Sequence, residues 1–383
     1  HVLYAEGEVE TPDPTRIDVF GRTLANALGN TEDTSVMLVS DDGKWSFRVT
    51  NYETVVNDAV SSSNVNREKW RLQQVLEQGT FRAGLIETDS QNYTADWLDL
   101  SPEAQAAGYD NEADYRREVV APAWRAFEDQ MFSDFPLTRN WYLEPFDPGQ
   151  MNRPRVRFPD NATLVEDQIS EGWEFEFTAN PMENLHIAFN ASKTEAIRDG
   201  VPGEEFGQVV DFIIESLDGP AGEVPIWWFA GPHMETWLDP FIGELVFARA
   251  LNGGTQPEIR EWRFNTVANY SFQEGRLKGV GLGGAWRYED SQIYSYEYIQ
   301  NADGTLGIDL STEYEDDDRH TFDLWCSYKT RVFEDYEVKV QLNVYNVFGE
   351  NELVPLWRNP DGSYGHMGIR EGRSWAVTST VSF

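Results

Sequence analysis

The sequence predicts an all-β fold, an antiparallel transmembrane β-barrel made of nine strand-like runs with long, partly helical extracellular loops. Two observations carry this reading. Apolar and polar residues alternate with a period of two in run after run, and the connections between runs are by turns tight and long. Composition removes the rivals. Of the 383 residues, 40% are hydrophobic and 14% aromatic, too much packing material for a disordered coil. The 66 acids against 30 bases give a net charge of -36, which argues against nucleic acid, because phosphate contacts need clustered Lys and Arg. Cys326 is the single cysteine, so neither an internal disulfide nor a cysteine zinc site is available. No run of about 18 apolar residues is present, which excludes a transmembrane helix but not a membrane barrel, whose strands leave a weak hydropathy signal. The chain opens His1-Val2-Leu3-Tyr4 without the basic start and apolar stretch of a signal peptide, and His1 reads as the start of a processed or truncated chain.

The nine runs span 34–41, 44–52, 171–180, 184–194, 260–272, 277–290, 319–333, 338–347 and 373–383. Trp173, Phe175, Phe177 and Ala179 alternate with Glu174, Glu176 and Thr178, and Val338, Val340, Leu342 and Val344 with Lys339, Gln341 and Asn343. Such runs place apolar groups on one face of a strand, whereas a helix would scatter them. Tight turns are expected at Asp41–Lys44, Asn180–Asn184, Gln273–Arg276 and Glu334–Glu337. The other connections, 53–170, 195–259, 291–318 and 348–372, are long. Long loops at one end and short turns at the other are the layout of an outer-membrane barrel. The 53–170 insertion reads as a large helical extracellular loop. A helix over 66–78 would bury Leu72, Val75 and Leu76 and stop at Gly79. Ser101-Pro102 caps a short helix that Gly108 ends, Asp110 or Asn111 starts another, and Pro122 breaks or kinks it before Trp124 and Phe127.

Four stretches together resemble the C-terminal part of a TonB-dependent outer-membrane receptor. They are Glu171-Gly172-Trp173-Glu174-Phe175 through Asn180-Pro181 to Ser192; Arg263-Phe264-Asn265 through Tyr270-Ser271-Phe272 to Leu277-Lys278-Gly279; Val340-Gln341-Leu342-Asn343-Val344-Tyr345-Asn346-Val347-Phe348; and Gly372-Arg373-Ser374-Trp375 through to Phe383. The resemblance covers the last 215 residues or so well and the first 170 loosely. It implies the last nine strands of a barrel of about 22 strands, with residues 1–33 in an extracellular loop and the plug domain outside this chain. It also implies uptake of a scarce ligand energised through TonB, with no covalent chemistry and no cofactor. Trp375 and Phe383 resemble the signal read by the outer-membrane insertion machinery. The chain is thus expected in a Gram-negative outer membrane, its acidic loops facing lipopolysaccharide. The ligand stays open among siderophore, cobalamin, oligosaccharide and metal complex. A passive porin or adhesion barrel is the first alternative; a soluble β-rich carbohydrate-binding protein or enzyme is the second.

Individual motifs have plainer readings. Gly279-Val280-Gly281-Leu282-Gly283-Gly284 has dinucleotide-loop spacing, but strand follows it rather than helix, so the glycines read as an open inner wall suited to a plug, a ligand or a bend. Glu174, Glu176, Arg263, Asp323, Lys329 and Lys339 read as charges lining the lumen. The five histidines lack metal-ligand spacing, and Asp316-Asp317-Asp318 reads as a solvated acidic loop. Ligand-binding candidates are the loop residues Trp227, Trp228, Trp357 and Arg358, because aromatic faces stack on sugars and hold cations. Trp173, Trp262, Tyr288 and Phe383 read as interface girdle residues.

Overall fold

The computed structural model describes every residue except 90–92, 227–232, 301–305, 333–335, 360 and 383. Ten long strands form one antiparallel sheet in which each strand pairs with the next in sequence. They are β1 Val2–Thr11, β2 Ala27–Val39, β3 Trp45–Val60, β4 Val165–Met182, β5 Leu185–Asp199, β6 Trp262–Ser271, β7 Val280–Glu289, β8 Arg319–Val332, β9 Tyr336–Tyr345 and β10 Ser374–Ser382. Gly254–Thr255 adds a short strand beside β5. All nine expected runs are strands. The tenth, β1, corrects the assignment of residues 1–33 to a loop: ten residues pair in unbroken register with β2, from Val2 opposite Val36 to Thr11 opposite Ala27. Its sequence hides this, since Glu6, Glu8 and Glu10 interrupt any apolar alternation and every residue of the strand is exposed.

All the long connections leave from one end of this sheet. At the other end the chain turns tightly, as at Ser40–Lys44, where Gly43 takes φ +67° and donates its N–H to the Ser40 carbonyl at 2.9 Å. The sheet is open, with β1 and β10 as its edges among the described residues.

The strands have two unlike faces and neither is covered by a second layer. The apolar face carries Trp173, Phe264, Leu342 and Val377; Trp173 is 46% exposed, Val377 59%, and Phe264 half-buried. In water, each such side chain left uncovered would forgo about 1.5–3 kcal/mol. Near the long-loop end the face carries a belt of rings: Phe175 against Trp262 (6.4 Å), Phe264 against Tyr288 (5.2 Å), Tyr288 against His320 (5.1 Å) and Trp286 against Phe322 (6.4 Å). Near the tight turns Trp45, Tyr328 and Tyr336 are exposed on the same face and Tyr270 packs on Phe272. Trp262 and Tyr270 lie eight residues apart on β6, roughly 20 Å along a tilted barrel axis, the scale of a ~25 Å apolar band. Just beyond the ring belt, five glutamates stand directly opposite one another across five strands: Glu6, Glu32, Glu53, Glu171 and Glu195.

The polar face is laced with ion pairs: Arg48–Glu176 at 3.7 Å, Arg287–Asp323 at 2.6 Å and Lys329–Glu337 at 2.7 Å. The glycines of β7 do not leave a bare wall there. A Cβ on Gly283 would stand 2.3 Å from the Trp325 indole, whose Nε1 donates to Asn269 Oδ1 at 2.9 Å, and one on Gly281 would meet Ser327 Oγ at 2.7 Å. The missing side chains make room for Trp325, which the alternation places on the polar side.

The fully buried core lies beyond the strand ends, in the long connections. Helices α1 Trp70–Glu87, α2 Ala121–Asp134, α3 Glu204–Leu217 and α4 Asp239–Ala250 bury Leu72, Leu76, Trp124, Ile213 and Phe241 together with Val19 and Phe20 of the β1–β2 connection. One core therefore draws on 12–26 and 200–253 as well as on the 53–170 insertion. Gly79 does not end the first helix: α1 continues to Glu87, and the glycine lets the Trp124 ring approach to 2.0 Å from where a Cβ would stand. Ser101 and Asn111 cap as expected, accepting from the N–H groups of Ala104 (3.1 Å) and Asp114 (2.8 Å). Pro122 falls in the first turn of α2, directly after a π-helical turn over Arg116–Val120 that absorbs its missing N–H.

Candidate functional site

A cavity of about 430 Å³ lies among the long loops. Ala196 and Arg198 form part of its wall and continue the polar-face series Asn190, Ser192, Thr194 of β5, so the cavity stands over that face. A second wall is α4, through Glu244 and Phe247. A third is a hairpin of Ile293–Gln300 with Leu306–Glu315, which brings Tyr294, Tyr296 and Tyr298; a fourth is the hairpin of Glu352–Arg358 with Tyr364–Arg370, which brings Trp357. Both hairpins lie where the sequence suggested plain loop.

The tyrosines are set by packing. Tyr294 and Tyr296 are buried, Tyr296 lies 6.3 Å from the Phe247 ring and Tyr294 stacks on Tyr314 at 6.4 Å. All three hydroxyls have their pKa raised, first by burial and then by a neighbouring group: Tyr364 for Tyr294, Glu313 for Tyr296 and Glu244 for Tyr298. At neutral pH they are protonated phenols, each able to donate one hydrogen bond and present a π face. Among the described residues, neither Glu244 nor Glu258 has an ion-pair partner. Arg198, the one cation in the wall, lies 3.6 Å from the buried carboxylate of Glu166, which also accepts from Ser61 Oγ at 2.6 Å and Gln168 Nε2 at 2.8 Å.

Beneath the first hairpin sits a buried charge cluster. Asp316 accepts from Arg260, from Arg319 at 2.8 Å and from the Gln292 N–H at 2.9 Å. Burial alone would raise its pKa, but these bonds outweigh burial and hold it below the ordinary value. Asp316 is thus a structural anchor, which corrects its reading as part of a solvated acidic loop. Among the described residues, no group of histidine, cysteine or acidic side chains is arranged to hold a metal ion.

Of the expected ligand residues, Trp357 lines the cavity. Arg358 lies just outside it, over the Tyr314 ring at 4.0 Å, with its Nε donating to the Gly362 carbonyl at 2.9 Å. Trp227, Trp228 and Phe383 lie outside the described residues. Trp375 is 71% exposed on the apolar face of β10. The sequence reading missed Glu244, Phe247, Tyr294, Tyr296 and Tyr298, although Tyr294-Ser295-Tyr296-Glu297-Tyr298 has strand periodicity. Another hollow, of about 500 Å³, lies beside α1 and Phe158; its half-buried Lys69 is engaged by Asn66 Oδ1 at 2.8 Å.

Among the described residues the ten strands form one open antiparallel meander. No protein-family model and no curated protein matches the sequence. Among solved structures, the chain is similar in fold to the ferripyoverdine receptor of the Pseudomonas aeruginosa outer membrane (11% identity, TM-score 0.46, 99% of this chain and 30% of that one). It is also similar to the ferric preacinetobactin receptor of Acinetobacter baumannii (12%, 0.42, 99% and 33%) and to the ferric-catecholate import receptor of E. coli K12 (12%, 0.40, 99% and 32%). The chain spans about a third of the length of each.

Proposed function

We propose that this chain is the C-terminal barrel portion of a TonB-dependent outer-membrane receptor that takes up a scarce ligand and catalyses no covalent step. The observation that carries the reading is the uncovered apolar strand face between two aromatic belts, with every long loop at one end and a cavity there over the polar face. Hydrocarbon stabilises that face, while a soluble sandwich would bury it under a second sheet. The four sequence stretches that resemble this family lie on β4–β5, β6–β7, β9 and β10.

In this reading the edges of β1 and β10 are paired by further strands of the same barrel, since unpaired backbone groups in hydrocarbon cost several kcal/mol each. Trp375 and Phe383 belong to the signal read by the insertion machinery. The five-glutamate row, on the lipid side just beyond the ring belt, meets lipopolysaccharide phosphates through divalent cations. Ligand captured among the loops passes to the lumen when TonB-delivered energy moves a plug.

The test is fractionation of cells expressing the whole protein, followed by electrophoresis with and without heating. The expected result is outer-membrane recovery with heat-modifiable migration, and in a planar bilayer a barrel closed at rest. Recovery in the soluble fraction without detergent would overturn the membrane reading, and steady conductance would favour a passive pore.

A further inference from the structure

The loop cavity has a chemistry that selects its ligand by charge. Five aromatic rings, those of Phe247, Tyr294, Tyr296, Tyr298 and Trp357, contribute to its wall. Two acidic residues, Glu244 and Glu258, line it without a counter-ion among the described residues. Among the described wall residues the one cation is Arg198, which faces the buried Glu166 carboxylate at 3.6 Å. We propose that this cavity takes a ligand bearing a positive charge on an apolar body, an amine, guanidine or quaternary ammonium, and rejects anionic ligands of the same shape.

The argument is one of elimination by electrostatics. Ring faces attract cations, most strongly where water is excluded. A carboxylate at the rim of such a box supplies the opposite charge, and the phenols stay neutral beside it. An anion would have to displace water from two acids of its own sign, while Arg198 faces Glu166 and Arg358, which reaches Tyr294 from outside the wall, is held over the Tyr314 ring. A neutral sugar would satisfy the rings yet leave both carboxylates partly dehydrated and uncompensated. The chain's net charge of -36 draws cations toward the loops from a distance.

The inference deepens the receptor reading and rests on it for the cavity's place above the lumen. Equilibrium dialysis of the whole protein in detergent micelles at physiological salt tests it, with empty micelles as the blank. The probes are rhodamine 6G and fluorescein, which share a ring system and carry opposite charge. Saturable binding of rhodamine 6G alone is expected, weakened about tenfold by Glu244→Gln and by Tyr298→Ala. Glu350→Gln, outside the cavity, should leave binding within twofold. Circular dichroism of each variant shows whether it has folded. Equal binding of fluorescein would overturn the proposal, as would an unchanged affinity in a folded Glu244→Gln, or an equal loss in Glu350→Gln, which would assign the effect to net charge. Membrane insertion is read separately by heat-modifiable migration. Rhodamine binding by a chain that does not insert would sink the receptor reading and leave this one standing.

Discussion

Two side chains in this chain are held by what surrounds them more than by what they prefer. Asp316 and Arg260 are both almost wholly buried, so removing the Asp316 charge leaves the Arg260 guanidinium buried without its counter-ion. Asp316→Asn should destabilise the loop assembly by about 3–5 kcal/mol, whereas replacing both partners by apolar residues of like volume should cost far less. The pH sign follows from the lowered pKa. An Asp depressed in the folded state contributes stability that is fully present above its unfolded value near 3.9, and that stability is lost as pH falls through the lower folded value. Thermal melts at falling pH, comparing the chain with Asp316→Asn, should draw closer together below the unfolded value; parallel curves would refute the linkage. Gly79 sets propensity against packing. Alanine gains about 1 kcal/mol of helix propensity over glycine, but its Cβ would stand 2.0 Å from the fully buried Trp124 ring. Overpacking of that order costs about 1–3 kcal/mol, so Gly79→Ala should lower the melting temperature. A higher one would show that the ring has room to move.

At the scale of whole elements, the row Glu6–Glu32–Glu53–Glu171–Glu195 places like charges in four successive cross-strand pairs. Each such pair is destabilising, by roughly 0.2–1 kcal/mol. Glu53 stands between two of them, so Glu53→Gln should stabilise the sheet by up to about 2 kcal/mol at low ionic strength, and by less as salt screens the row. Urea unfolding at two salt concentrations measures both; a loss of stability would mean that the carboxylates are already neutralised. The same row explains what was legible in the sequence. Nine strands announced themselves because the residues of the two strand faces differ in hydropathy at every step. In β1, glutamates occupy the face on which the other strands carry apolar groups, and only pairing with β2 reveals the strand. Helix α3 was readable in principle, since Phe206, Val209, Val210, Ile213 and Leu217 recur at helical spacing, but in a connection expected to be loop that period was passed over. Trp357 was found by residue type alone. Glu244 and Tyr298 could not be, because their meeting depends on how α4 and the 293–315 hairpin fold over the strand ends, and no local pattern encodes that.

For the molecule as a whole, the decisive question is which solvent the apolar face meets, and facing residues of one strand pair answer it. Leu342 on β9 stands opposite Val377 on β10, and their neighbours Gln341 and Thr378 stand opposite each other on the other face. The two pairs share strands and depth and differ only in side. If hydrocarbon covers the apolar face, Val377→Arg should oppose insertion by about 2–4 kcal/mol, the cost of a guanidinium near the bilayer midplane. Thr378→Arg would enter a polar face already crossed by ion pairs such as Arg287–Asp323 and should insert as the parent does. Refolding into lipid vesicles, followed by the heat-modifiable band, gives the two numbers side by side. Equal tolerance of both arginines would place water on both faces. An inverted result, with Thr378→Arg the damaging change, would turn the wall inside out and move the loop cavity off the transport route.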